Sequence, residues 1–186
     1  MSRLVMITGG ARSGKSTFAE KELHDNYDRV GYIATAIAFD DGMKDRIKKH
    51  QDQRPDNWGT IEWYKGIENL KTSEVFRDYD VFLLDCLTLM VTNQMIDEPR
   101  DFDTMTMEEV NQLEQSIFQE VKALLALMKK EDKTLYVVSN EVGMGLVPAY
   151  KLGNYFRDIA GRMNQYVASL ADDVHVLFSG IPMKIK

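Results

Sequence analysis

Near the start of the chain stands Leu4-Val5-Met6-Ile7-Thr8-Gly9-Gly10-Ala11-Arg12-Ser13-Gly14-Lys15-Ser16. Its second part matches G-x-x-x-x-G-K-[ST] at every fixed position. The pattern has a physical reason. A loop that wraps around phosphate oxygens must turn its backbone N–H groups inward, and glycines permit the positive φ angles and close approach this needs. A helix opening at Lys15 would point the positive end of its dipole at the same anion. Lys15 would reach the β- and γ-phosphates, and the Ser16 hydroxyl would ligate Mg2+. A chance Gly/Ser-rich turn would lack the correct flanks. Here a short apolar run precedes the loop and helix-forming residues follow it.

Working outward, short apolar runs at 3–7, 30–34, 61–64, 80–85, 135–138 and 174–178 read as strands. Segments 15–24, 40–50, 107–131 and 155–170 read as helices. The helix over 107–131 is the clearest. Val110, Leu113, Ile117, Val121, Leu124 and Met128 recur at spacings of three and four, and Thr106 with Glu109 offers a capping box. Phe156, Ile159, Met163 and Val167 share one face of the segment 155–170. Segments 51–59, 97–104 and 143–148 read as loops. Strands alternate with helices, and the strands are continuous apolar runs. That predicts an α/β fold with a mostly parallel central sheet covered by helices on both faces. No internal repeat, low-complexity tract or long linker divides residues 1–186, so one domain is expected.

The strand over 80–85 ends in Asp85. Two readings fit that carboxylate: a Mg2+ ligand opposite the phosphate loop, or the N-cap of a following helix. The upstream loop favours the metal. Asp80 reads as a turn residue. Of the three histidines, His24 reads as a solvated residue late in a helix and His175 as a strand residue facing polar surroundings. His50 stands between Arg46-Ile47-Lys48-Lys49 and Gln51-Asp52-Gln53-Arg54-Pro55. Nearby cations favour the neutral imidazole, which attacks phosphorus. A histidine at a helix C-terminus, interacting with the dipole, is the other reading.

The net charge of −6 repels a phosphate backbone, so nucleic acid is excluded as the main partner, while one local cationic site suffices for a small anion. Cys86 is the sole cysteine, so no intrachain disulfide forms and a reducing compartment is expected. The opening apolar run is too short for a signal peptide. No stretch approaches the ~20 apolar residues of a membrane span. A cytoplasmic protein is the expectation.

Several further blocks accompany the phosphate loop. They are Tyr32-Ile33-Ala34-Thr35-Ala36; Arg46-Ile47 with His50 and Arg54-Pro55; and Trp58 with Thr60 and Glu62. Asp85-Cys86-Leu87-Thr88 follows with Val91-Thr92-Asn93, then Asn140-Glu141-Val142-Gly143-Met144-Gly145-Leu146-Val147-Pro148. The last are Phe156-Arg157-Asp158-Ile159-Ala160-Gly161-Arg162 with Asn164-Gln165, and Ser179-Gly180-Ile181-Pro182. This ordered set, spread over nearly the whole chain, resembles the bifunctional adenosylcobinamide kinase / adenosylcobinamide-phosphate guanylyltransferases of cobalamin biosynthesis. The resemblance implies a P-loop NTPase-type, RecA-like fold and a propeller-like homotrimer.

It also implies two reactions. ATP or GTP phosphorylates the aminopropanol hydroxyl of adenosylcobinamide. GTP then loses pyrophosphate as its GMP goes onto a histidine, and that GMP passes to adenosylcobinamide phosphate, giving adenosylcobinamide-GDP. His50 matches the family's guanylylated histidine. Gly9, Gly10, Ala11, Arg12, Ser13, Gly14, Lys15 and Ser16 form its phosphate loop. Ala34, Thr35, Ala36, Gln51, Asp52, Gln53, Arg54 and Glu62 fall where members contact the guanine nucleotide. Asp85 falls at the strand-end carboxylate and, with Ser16, would hold Mg2+. Met90 stands where members often carry tryptophan, and Lys49 where they often carry a second histidine.

One P-loop serves either attack. A substrate hydroxyl at the γ-phosphorus gives a kinase, and His50 at the α-phosphorus gives a nucleotidyl-histidine with pyrophosphate leaving. A plain small-molecule or nucleotide kinase, with His50 structural, is the alternative. A nucleotide-dependent switch would need an arginine finger, for which Arg157 or Arg162 is available. Tyr27, Trp63, Tyr150, Tyr155 and Met144 are candidates to line a large apolar surface, although such residues more often belong to cores.

Overall fold

The computed structural model describes residues 2–37, 55 and 57–186. The helix expected over 40–50 and most of the loop expected over 51–59 fall outside the described residues. So do His50, Gln51, Asp52, Gln53 and Arg54. In chain order the elements are β1 (Leu4–Gly9), α1 (Lys15–Asn26), β2 (Gly31–Ala34), β3 (Gly59–Glu62), α2 (Ile67–Thr72), α3 (Glu74–Asp78) and β4 (Val81–Asp85). Then come α4 (Leu87–Ile96), α5 (Met107–Lys130), β5 (Thr134–Val138), α6 (Lys151–Leu170), β6 (Asp173–Phe178) and β7 (Ile181–Lys184).

The strands form one seven-stranded sheet in the order β3-β2-β4-β5-β1-β6-β7. All neighbours are parallel except β6 and β7. β5 separates β1, which feeds the phosphate loop, from β4, which ends in Asp85; this is the RecA-like arrangement. The predicted mostly parallel α/β sheet is therefore what the chain forms.

Alternation along each strand sorts the core into two layers. Met6, Ile33, Phe82, Leu84, Leu135 and Val137 face α4, α5 and α6. Val5, Ile7, Tyr32, Leu83, Tyr136 and Val138 face the other way, onto Ala19 and Leu23 of α1. All five residues of β5 are buried. A strand with apolar cover on both faces has no solvent side to mark with polar residues, hence the unbroken apolar runs.

In α5 all six residues of the expected stripe are buried. The Thr106 hydroxyl accepts from Glu109 N–H at 3.3 Å, while the Glu109 carboxylate accepts from Thr106 N–H at 2.8 Å. In α6, Ile159, Met163 and Val167 are buried and Phe156 packs against the same layer. α6 opens at Lys151, four residues before the predicted start at 155. The strand predicted over 61–64 runs from Gly59 to Glu62. The polar loop over 97–104 is pinned by Phe102, which is buried.

Elements absent from the sequence reading have local causes. α4 is Leu-Thr-Leu-Met-Val-Thr-Asn-Gln-Met-Ile with seven residues buried, and a helix covered all round carries no amphipathic period. α2 and α3 are too short for a periodic signal. β7 contains Pro182, which has no N–H to donate, and an edge strand is where a sheet tolerates that.

Candidate active site

β1 ends in Gly9 at φ 150°, where a Cβ would stand 2.5 Å from the Leu177 carbonyl oxygen and 2.8 Å from Ser13 Oγ. No side chain fits there. The loop then turns through Arg12 at φ 57° and Gly14 at φ 90° before α1 begins at Lys15. Ser13 N–H donates to Gly10 O at 3.3 Å, and Ser13 O accepts from Gly180 N–H at 2.9 Å, which ties the loop to the β6–β7 hairpin. Gly14 is the N-cap and supplies no capping side chain. The first-turn N–H groups of α1 are thus left for an anion.

Lys15 is buried, and its ammonium donates to Gly10 O at 2.6 Å. No carboxylate lies within ion-pair distance of it among the described residues. Burial pushes its pKa down, and Cys86 and Asp85 oppose that shift. A buried cation without a counter-ion is costly unless a ligand supplies one. Among the described residues the Thr8 and Ser13 hydroxyls are buried without a hydrogen-bond partner. An ammonium without a counter-ion and two hydroxyls without partners, around one glycine loop, are what a bound phosphate chain would satisfy.

Asp85 closes β4, half-buried, in register with Ala34 of β2 and Val138 of β5. Glu62 lies beside Ala34 at the end of β3 and is exposed. Ala34, Glu62, Asp85 and the phosphate loop therefore share the carboxyl edge of the parallel sheet, where open α/β folds bind ligands. Asp85 is not an N-cap: that position in α4 is Cys86. Its carboxylate accepts from the Tyr32 hydroxyl at 2.8 Å. Among the described residues no cluster of three or more His, Cys, Asp or Glu side chains would cage a metal. Mg2+ on nucleotides is held by one or two carboxylates with phosphates and water, and an Asp with a Ser hydroxyl suits that donor set.

Behind Asp85 runs a buried polar chain in which only Thr35 has a role assigned from the sequence. The Thr35 hydroxyl donates to Cys86 O at 2.9 Å and accepts from Cys86 N–H at 2.7 Å. Asn93 donates to Thr35 O at 2.5 Å. Cys86 Sγ lies 3.1 Å from the Thr88 hydroxyl, which accepts from Asn140 at 2.8 Å. Asn164 of α6 donates to Asn140 O at 2.9 Å and accepts from Ser139 Oγ at 2.5 Å. The available signal was the presence of small polar residues within apolar surroundings in the quoted blocks. Thr35 thus spends its side chain on Cys86, leaving Ala34 and Ala36, both half-buried, beside it at the strand end. Burial and Asp85 push the Cys86 thiol up to about 11, so it stays protonated at neutral pH.

The other candidates divide. His24 is exposed in α1, and His175 packs on Phe18 with ring centroids 5.4 Å apart. Arg162 donates to both oxygens of Glu114, with its own side chain about half exposed. Trp63 is core and donates to Gly66 O at 3.0 Å. Tyr27 meets Tyr136 edge-on, Tyr155 is packed on Phe102, and Tyr150 and Met144 are exposed. A cavity of about 330 Å³ beside Arg3, Lys122 and Lys133 opens at the start of β1, at the opposite edge from the phosphate loop.

Residues 5–185 match the model of the family described as cobinamide kinase / cobinamide phosphate guanyltransferase. The chain belongs to that family. It is 42% identical to the bifunctional adenosylcobalamin biosynthesis protein CobU of Salmonella typhimurium, over 98% of this chain and 99% of that one. The CobU protein of Escherichia coli is 41% identical over the same shares. The bifunctional adenosylcobalamin biosynthesis protein CobP of Pseudomonas aeruginosa is 35% identical over 97% of this chain and 96% of its own. The cobinamide kinase family assignment thus covers the phosphate loop, the Asp85 edge and the buried polar chain together.

Proposed function

We propose that this chain phosphorylates the aminopropanol hydroxyl of adenosylcobinamide with ATP or GTP. It then converts adenosylcobinamide phosphate and GTP into adenosylcobinamide-GDP and pyrophosphate. The observation that carries the reading is the buried Lys15, with no carboxylate partner among the described residues, in its glycine loop at the same sheet edge as Asp85, in a chain matched by the kinase and guanyltransferase family over residues 5–185.

In the first reaction the substrate hydroxyl attacks the γ-phosphorus, and ADP or GDP leaves. In the second, a neutral His50 nitrogen attacks the α-phosphorus of GTP, and the bond to pyrophosphate breaks. The phosphate of the corrinoid then attacks that same phosphorus and releases His50. Splitting one transfer into two steps is the gain from a covalent intermediate. Lys15 and the loop N–H groups stabilise charge on the phosphates in both reactions. Ser16 and Asp85 would hold Mg2+, which when bound offsets charge on the phosphate oxygens. Ala34, Thr35, Ala36, Gln51, Asp52, Gln53, Arg54 and Glu62 are assigned to the guanine nucleotide.

The homotrimer belongs to the same proposal. Phe178, Ile181, Met183 and Ile185 are exposed on the β6–β7 edge, a surface suited to contact between copies. Among the described residues no helix is long and apolar enough to cross a membrane, and the lone thiol Cys86 suits the cytoplasm. The test is turnover. With Mg2+, ATP and GTP the protein should convert adenosylcobinamide first to its phosphate and then to adenosylcobinamide-GDP, resolved by mass spectrometry. Phosphate alone, with GTP present, would leave the plain kinase; neither product would reject the reading.

A further inference from the structure

A kinase of this kind must hold a large macrocycle within reach of the phosphate loop. We propose that the loop between β5 and α6, with the ends of α4 and α6 beside it, is the surface on which the corrinoid ring of the acceptor docks. This rests on the functional reading above.

Position comes first. Ser139 N–H donates to Ile7 O and Glu141 N–H to Gly9 O, each at 2.9 Å, so the root of this loop is stapled to the strand that enters the phosphate loop. Asn140 reaches Thr88, three residues beyond Asp85. At its far end the Asn154 amide donates to Pro148 O at 2.8 Å. Gly153 lets the Pro148 and Tyr150 side chains pack closely, since a Cβ there would stand 2.8 Å from each. The loop is fixed at both ends and starts at the mouth of the site.

Between those anchors its side chains face outward. Leu146 is 96% exposed, Met144 77% and Val147 67%. Tyr150, Leu152 and Ile96 are exposed too. A loop would not normally present such a run of large apolar groups unless something covers it. Tyr150, Leu152 and Ile96 also line a cavity of about 460 Å³ with Phe102 at its wall and Glu98, Arg100, Asp101 and Asp103 around it. Three carboxylates there outnumber one guanidinium, and Arg100 is already paired with Glu98. The surplus is negative.

A cobalt(III) corrinoid without a nucleotide phosphate is a broad, largely apolar ring, fringed with amides and carrying net positive charge. An apolar platform with an acidic rim matches it in shape, in hydrogen bonding and in sign. Methionine and loop residues also suit a ligand that must slide out after each of two reactions. The outer edge of β7, which pairs with no further strand among the described residues, is the better surface for a second copy.

The test compares wild type with Leu146→Asp and Tyr150→Ala, neither of which touches the phosphate loop. Adenosylcobinamide binding is followed by equilibrium dialysis and visible absorbance, and its KM is measured at saturating ATP. Guanylyl-enzyme formation from GTP without corrinoid and sedimentation velocity serve as controls. Expected is a loss of at least about tenfold in corrinoid affinity and a matching rise in KM, with guanylylation within about twofold of wild type and unchanged oligomer mass. Unchanged corrinoid affinity in both variants overturns the docking surface alone. A changed oligomer mass makes the loop a subunit contact and overturns it too. Wild type that neither binds nor phosphorylates the corrinoid overturns the functional reading itself.

Discussion

Thr35→Val removes one hydroxyl and leaves a side chain of nearly the same shape. In the folded protein that hydroxyl serves both polar groups of the Cys86 backbone, at 2.7 and 2.9 Å. Thr35 is 1% exposed, so water does not take its place. Each buried group left unpaired costs about 1–3 kcal/mol. The pair together should cost about 2–6 kcal/mol, a large share of the ~5–15 kcal/mol that holds a typical domain. At about 2–4 °C per kcal/mol for a chain of this length, the melting temperature should fall by roughly 4–24 °C. Urea unfolding of wild type, Thr35→Val and Thr35→Ser gives the free energies. The serine variant keeps the hydroxyl and should lose only ~1 kcal/mol for the missing methyl group. Because Cys86 follows Asp85 directly, the valine variant should also bind Mg-nucleotide more weakly, while the serine variant should not. A valine variant within ~0.5 kcal/mol of wild type, at an unchanged urea slope, would refute the claim that this hydroxyl clamps the end of β4.

Three further outcomes are expected. Lys15→Met should leave the free protein as stable as wild type or more so, because it removes a buried charge that has no counter-ion among the described residues, yet weaken nucleotide binding about 10–100-fold; calorimetric titration and thermal melts read the two separately. Lys184 and then Arg3 hold the Asp173 carboxyl below its ordinary pKa, so its contribution to stability is present above pH ~3.9 and lost as pH falls through the depressed value. Asp173→Asn should therefore lower the melting temperature at neutral pH and converge on wild type at the acid end of a pH series. Ile117→Ala, at a fully buried position of α5, should cost about 2–5 kcal/mol in urea while leaving nucleotide affinity unchanged.

What the sequence displayed was whatever has a local period or a complete motif. Leu4 to Ser16 announced strand, loop and helix because the phosphate loop needs its glycines at fixed places, and the structure shows Gly9 and Gly14 at positive φ. α5 was legible through a long one-sided stripe and its Thr106–Glu109 cap. α4 was not, since burial on every side erases the period by which helices are found. The order of strands was also hidden: that β5 slips between β1 and β4 is decided by crossovers, not by any local pattern. At the site, Lys15, Ser16 and Asp85 were readable as types suited to phosphate and Mg2+. The Tyr32 hydroxyl on Asp85 and the chain from Thr35 to Asn164 were not, because a tyrosine or asparagine looks the same in sequence whether it meets solvent or a buried partner.

The central claim is that one phosphate loop serves both a kinase and a histidine that carries GMP. Purified wild type and His50→Ala, each with Mg2+ and GTP labelled at the α-phosphate, test it most directly when label is sought on the denatured protein. The account predicts acid-labile, alkali-stable label on wild type and none on the variant. Label on both would move the nucleophile away from His50, and no label on wild type would contradict the guanylyl step.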